Sequence, residues 1–444
     1  MELVETAVAK ALKLNATEAE AYVQKTRTIM VEFAEQIESL KTVESIGIGL
    51  RVALGKRNAI YSTSTLNEGE VGQAAERAVK IAMVAPEDPD WKHFNRRFGK
   101  SAVEGYYDSR LATIEYDEIV DRLTAATRLI NERDKRVRPT RGILTLATST
   151  IAIANSCNET VDKKETGMIV ELRAKAADAG MESTGNEHQE ARSWKEVDFE
   201  NLAINAGNKA AKFMTAKPMP GGKTDIIFRN QIFANLLGIF IGPTISAEWV
   251  QKGRSPLAGK IGNTIASENV SIVDDGTLPG GWGTCPFDDE GYPIQRTPIV
   301  EKGVLKSFVY DTYTAMKANV ESTGNAQRAG YWIKPQPSPN NLVFAKGNNS
   351  PEEMIKDTKA GIYVDTTIGE WLSNPVSGNL NATVTHGYRI ENGALAEPVK
   401  GVVLSGNFFE LLKTGVGSIG NDLRNSGENY SPTVKLVGVT VAGE

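Results

Sequence analysis

Histidine and cysteine are scarce in this chain of 444 residues: three His (His93, His188, His386) and two Cys (Cys157, Cys285). A zinc site needs three or four N, S or O donors at one point, usually with two of them close in sequence. The histidines are far apart, and neither a Cys-x-x-Cys nor a His-x-x-x-His spacing occurs. Two cysteines do not build a disulfide framework, so buried free thiols are expected. No apolar run approaches the roughly eighteen residues of a membrane span, so no membrane partner is expected. Met1-Glu2-Leu3-Val4-Glu5-Thr6 has neither the basic nor the apolar stretch of a secretory leader, which points to a cytoplasmic protein. Positive charge is not in excess either: 50 Lys and Arg stand against 55 Asp and Glu. Nucleic acid is therefore not an expected partner. The densest basic cluster, Lys92, Arg96, Arg97 and Lys100, lies close to Glu87, Asp88 and Asp90 and reads as a solvated loop. No phosphate-binding Gly-Lys-Ser/Thr loop, dinucleotide fingerprint or Gly-x-Ser-x-Gly elbow is present.

What is present is the patterning of an α+β protein large enough for two domains. Helical spacing covers 2–13, 67–84, 116–134 and 197–215. Strand patterns occupy 19–24, 28–34, 45–53, 59–63, 142–149, 150–156 and 167–177. Residues 85–108 lack a period and carry Trp91, Phe94 and Phe98 as anchors of a long loop. The breaker Ala216-Lys217-Pro218-Met219-Pro220-Gly221-Gly222 separates an N-terminal α+β domain (1–216), with helices and an antiparallel sheet, from a mainly β domain (223–444). In the latter, a strand at 224–228 precedes a helix over 230–241 with Asn230 as its cap. Glu301-Lys302-Gly303-Val304 and Glu391-Asn392-Gly393-Ala394 are hairpin turns. Lys334-Pro335-Gln336-Pro337-Ser338-Pro339-Asn340 is a rigid loop.

Few residues offer chemistry. His386 lies in an alternating strand, where a hydrogen-bonded sheet histidine is the expected role, and His188 reads as an exposed loop residue. Asp288-Asp289-Glu290-Gly291 and Asp274-Asp275-Gly276 read as acidic turns; neither has the spacing of a calcium loop.

The order Asp275-Gly276-Thr277-Leu278-Pro279-Gly280-Gly281-Trp282-Gly283-Thr284-Cys285-Pro286-Phe287-Asp288-Asp289-Glu290-Gly291, then Glu301-Lys302-Gly303, Tyr310-Asp311-Thr312-Tyr313, Ser322-Thr323-Gly324-Asn325, Tyr388-Arg389-Ile390-Glu391-Asn392-Gly393, Ser405-Gly406-Asn407 and Ile419-Gly420-Asn421-Asp422, resembles the TldD/PmbA family. One branch of that family, TldD, holds zinc with a His-Glu-x-x-x-His segment and a distant cysteine. The PmbA branch, also called TldE, lacks both. On this resemblance the two histidine positions fall on Gly238 and Pro243, the glutamate on Ile239, and the cysteine within 425–430, where none occurs.

The resemblance therefore implies a non-catalytic, TldE-like subunit that is inactive alone. It would bind no cofactor and would pair with a TldD-like metalloprotease subunit that carries the zinc. The complex would cleave unfolded or small peptides. Trp282, Phe287 and Asp289 are candidates for lining the chamber or the subunit interface, and peptide capture by strand addition would suit so strand-rich a chain. The alternative is a stand-alone homodimer that binds peptides without cleaving them.

Overall fold

The computed structural model describes residues 2–443. Helix α1 (Glu2–Lys13) precedes three strands, β1 (Glu18–Phe33), β2 (Ile37–Leu54) and β3 (Arg57–Thr63). Helices α2 (Glu68–Val84), α3 (Ser109–Ala112) and α4 (Tyr116–Arg133) lead to β4 (Val137–Asn155), β5 (Thr160–Asp178) and β6 (Met181–Ala191), and α5 (Phe199–Lys212) follows. The six strands form one antiparallel sheet, ordered β3-β2-β1-β4-β5-β6, shaped as a half-barrel. Helices cover one face of it. Val4, Ala7 and Ala11 of α1 and Val71, Ala75 and Ala78 of α2 pack on Ile48, Leu50 and Val52. Ile119 and Leu123 of α4 and Leu202 and Ala206 of α5 pack on Leu144, Val170 and Leu172. Alanine at the contact positions lets the helices approach closely, and Asn67 fixes the start of α2 by accepting the Glu70 N–H at 2.8 Å.

The fold is α+β, as the patterning implies, but several elements differ from expectation. The runs 19–24 and 28–34 are one strand, as are 142–149 and 150–156, because each pairs continuously with its neighbours. Strand β6 carries no hydrophobic alternation, and its pairing with β5 alone makes it a strand. His188 therefore lies within a strand, not in a loop. Cys157 is exposed in the β4–β5 turn, and only Cys285 is a buried thiol. The loop 86–108 is held down by Trp91 and Phe94, both buried. Its basic residues form exposed ion pairs, Arg96 with Glu18, Arg97 with Glu321 and Lys100 with Asp162.

The second half begins with β7 (Gly222–Phe228), α6 (Asn230–Phe240) and α7 (Ala247–Gln251). Strands β8 (Ile272–Asp275), β9 (Arg296–Glu301) and β10 (Val304–Leu305) precede α8 (Thr312–Ala318). Then come β11 (Ala326–Gln327), β12 (Gln336–Pro337), β13 (Leu342–Phe344) and α9 (Pro351–Lys356). The remainder is β14 (Ala360–Ile368), β15 (Asn379–Glu391), β16 (Ala394–Val399), β17 (Val402–Asn407), α10 (Phe408–Thr414), β18 (Val416–Ile419), β19 (Arg424–Ser426), β20 (Asn429–Ser431) and β21 (Val434–Ala442). Strand β14 pairs with both β7 and β15, closing the ring β14-β7-β21-β17-β15 into a barrel. Ile226, Phe228, Val364, Leu404 and Leu436 share its core with Phe233, Leu236, Leu237 and Phe240 of α6, and Phe240 stacks on Phe408 at 4.4 Å. No helix among the described residues is long and apolar enough to cross a membrane.

Two buried ionic networks join the halves. Arg51 of β2 donates to both carboxylate oxygens of Glu20 (2.8 and 2.6 Å) and to Glu290 (2.8 Å), and Arg328 also pairs with Glu20. The second network sets Glu187 and Asp365 against Lys209 and Arg229, at 2.6 to 3.2 Å. Beside it, the free edge of β6 is satisfied by side chains. His386 Nε2 donates to Thr184 O (2.6 Å), Lys209 Nζ to Asn186 O (3.2 Å), and Gln231 Nε2 to His188 O (3.4 Å). An edge strand is thereby closed to further pairing. His386 thus takes the sheet role expected of it.

Candidate functional site

Helix α6 leaves β7 through Arg229, whose N–H donates to Val364 O at 3.0 Å. Asn230, expected as the cap, is the first helical residue, and Arg229 occupies the cap position without a side-chain capping bond. The Asn230 side chain instead donates to Asp422 Oδ2 (3.0 Å) and Asp422 O (2.8 Å). Asp422 also accepts from Thr433 N–H (2.9 Å) and Oγ1 (2.7 Å). One carboxylate thus ties the start of α6 to the chain on either side of the β19–β20 hairpin.

That hairpin crosses α6 at Gly238. A Cβ at Gly238 would lie 2.5 Å from Asn429 Nδ2 and 2.8 Å from its Cγ, so a larger residue fits only if the asparagine side chain moves. The helix then widens. Ile241 N–H donates to Leu237 O four residues back (2.8 Å), and Gly242 N–H reaches the same carbonyl from five residues on (3.3 Å). A turn of this i to i−5 kind takes in an extra residue and brings positions five apart towards one face. Pro243 has no N–H to offer, and helical bonding resumes just beyond it, where Ile245 N–H donates to Ile241 O at 3.0 Å.

Gly238, Ile239, Gly242 and Pro243 consequently line one wall of a groove of about 600 Å³. Glu428 and Asn429 form a second wall, residues 327–329 and 336–339 a third, and Ser246, Glu248 and Trp249 one end. The proline-rich wall is rigid, and its carbonyls are partly occupied: Ser246 Oγ donates to Pro337 O (2.8 Å) and Gln327 Nε2 to Pro339 O (2.8 Å). Glu248 holds Lys252 Nζ at 2.6 Å.

The donor set does not fit zinc. Glycine, isoleucine and proline side chains carry no ligand atom, and Asn429 offers only an amide. Among the described residues, no three of His, Cys, Asp and Glu converge so as to hold a metal ion. The groove can accept and donate hydrogen bonds along an extended chain through Asn235, Gln327, Gln336, Ser338 and Asn429, and its two carboxylates are Glu428 and Glu248, the latter paired with Lys252.

The structure brings Gly238, Ile239 and Pro243 together with the 425–430 segment. Trp282, Phe287 and Asp289 do not line this groove. Phe287 is fully buried against Ile151, Ile153 and Val161 of the N-terminal sheet. Asp289 is half-buried beside that sheet, accepting from Tyr22 OH (3.3 Å) and Arg328 N–H (2.8 Å). Trp282 is half-buried, its ring 5.3 Å from the Arg192 guanidinium and its N–H donating to Tyr430 OH at 2.7 Å. The turn around Asp289 is a buried clasp rather than a solvated one. Asp288 accepts the N–H groups of Glu290, Tyr292 and Ala326, and burial beside Glu290 pushes its carboxyl well up. Glu248, Gln327 and Gln336 carried no sequence signal, because they are isolated polar residues brought together only by the fold.

The family model of the PmbA/TldA metallopeptidase C-terminal domain matches residues 221–443, and that of domain 1 matches residues 19–82. The chain belongs to the PmbA/TldD metallopeptidase family. A metalloprotease from Methanothermobacter thermautotrophicus is 33% identical over 280 residues, covering 62% of this chain and 61% of its own length. The match to a relative from Methanocaldococcus jannaschii, 35% identical over 241 residues, covers 54% of this chain, so the chain spans 56% and 61% of the length of these two relatives. In three dimensions it is similar to TldE from Thermococcus kodakarensis, with a TM-score of 0.92 at 24% identity over 99% of this chain and 100% of that one. That likeness is one of fold. Helix α6, the β19–β20 hairpin and the groove between them all lie within the matched C-terminal domain of the family.

Proposed function

We propose that this chain is a non-catalytic, TldE-like subunit of a TldD/TldE-type zinc metallopeptidase. In this reading it holds an extended peptide in the α6 groove while a TldD-like partner supplies the zinc and the chemistry. Gly238, Ile239 and Pro243 then stand where the zinc-binding branch carries its ligands, and Asn429 stands in the segment of the missing cysteine.

One observation carries the reading. The wide turn at the end of α6 brings these positions to one face beside Asn429, and none of them supplies a metal ligand or a proton-transfer group. The chain's own residues would orient the substrate through amide side chains and a proline-stiffened wall. Zinc in the partner would supply Lewis-acid activation of water.

The test is co-expression with a TldD-like metalloprotease. The expected result is a stable complex of the two chains that cleaves unstructured peptides and loses activity to a chelator. A chain that elutes only as a homodimer, with no complex formed, would overturn the reading.

A further inference from the structure

A second hollow of about 370 Å³ opens beside the α6 groove, and Glu248, Gln336 and Pro337 belong to the walls of both. It lies between the two halves of the chain. Its floor is aromatic: Trp91 meets Phe94 edge-on at 4.8 Å and stacks with Tyr313 at 6.4 Å. Trp91 and Phe94 belong to the long loop 86–108, so the anchoring aromatics of that loop also build a binding floor.

The lip is cationic. Lys252, Lys317 and Lys334 stand around it, all exposed. The acids on the walls are already engaged. Asp311 caps α8 by accepting the Thr314 N–H at 2.8 Å, and Asp88 accepts the Asp90 N–H at 3.0 Å. Lys252 pairs with Glu248 and Lys317 with Asp90. Lys334 forms no ion pair among the described residues, and Pro335 restricts it to an extended conformation at the mouth.

An aromatic floor takes a flat apolar side chain, and an unpaired ammonium at the mouth takes a carboxylate. An aromatic residue at the C-terminus of a peptide presents both on one residue. The volume is that of a small-ligand site. We infer that this hollow receives an aromatic C-terminal residue, with its ring on Trp91 and Tyr313 and its carboxylate on Lys334. The body of the peptide then runs into the α6 groove, a step that rests on the function proposed above.

Calorimetric titration of the full chain tests this with four probes: N-acetyl-L-phenylalanine, its amide, and N-acetyl-Ala-Ala-Ala-Phe with a free or an amidated C-terminus. An ion pair with an exposed lysine is worth up to about fivefold in affinity, so each free acid should bind about two- to fivefold tighter than its amide. Lys334→Ala should erase that difference while leaving the amides unchanged, and Tyr313→Ala should weaken acid and amide alike. Equal binding of acid and amide, or an acid preference that survives Lys334→Ala, overturns the inference even if both tetrapeptides bind in the groove. A tetrapeptide no tighter than N-acetylphenylalanine would count against the groove reading alone, because the single residue reaches only the hollow.

Discussion

Gly238 is set by what lies above it. Its missing Cβ is the space that the Asn429 side chain occupies, so any larger residue must push that side chain aside. Gly238→His should therefore destabilise the chain by about 1–3 kcal/mol, the usual cost of overpacking. Asn429→Ala in the same chain should recover most of the loss. Urea unfolding of the two single variants and the double variant measures the coupling, and additive effects would show that the two residues do not share this space. That Gly238, Ile239 and Pro243 carry no metal-ligating atom is readable from the sequence, because side-chain chemistry is legible without coordinates. The sequence did not disclose that Asn429 fills the gap, because a contact across nearly two hundred residues of chain leaves no local pattern. Phe287 and Asp289, candidates for the chamber or interface, pack between the N-terminal sheet and the 327–329 segment, a placement that no local pattern in the sequence reveals.

Elements with a strong period or a specific turn chemistry were readable in advance. Helices α2 and α4 follow their apolar stripes, and the β15–β16 hairpin turns at Asn392 and Gly393, both with positive φ. Strand β6 was not readable, because it satisfies itself by pairing on one edge and by side-chain donors on the other. His386 is one of those donors. Burial holds its imidazole below the usual range, so near neutral pH it donates to Thr184 O as a neutral ring, with Phe213 edge-on at 4.7 Å. His386→Phe keeps the aromatic packing and leaves that carbonyl without its donor, which should cost about 1–3 kcal/mol. Hydrogen exchange should then rise along β6 and not along β1. Unchanged exchange in β6 would show that the edge does not depend on this bond.

At the scale of the whole molecule, the two halves are held in register by buried charge. Glu187 is the hub of one network, and although burial opposes its ionisation, the bonds and charge of Arg229 and Lys209 bring its carboxyl down from 4.5 to about 2. A carboxyl lowered on folding stabilises the fold above its unfolded pKa and stops doing so as protons bind. The contribution is thus complete above about pH 4.5 and is lost as pH falls through about 2. Glu187→Gln should cost roughly 3–5 kcal/mol at neutral pH, since it strands two buried cations on Asp365, and should flatten the acid limb of the stability curve. Denaturant midpoints measured across pH decide this, and parallel curves for wild type and variant would refute it.

The account as a whole depends on the groove at the end of α6 being unable to bind and use zinc. The most direct test is metal analysis of the purified chain by mass spectrometry after zinc loading and desalting, with peptide hydrolysis assayed on the same sample before and after addition of a TldD-like metalloprotease. The predicted result is no retained zinc and no cleavage from the chain alone, with both present in the two-chain complex. One zinc retained per chain, with chelator-sensitive turnover in the absence of any partner, would contradict it.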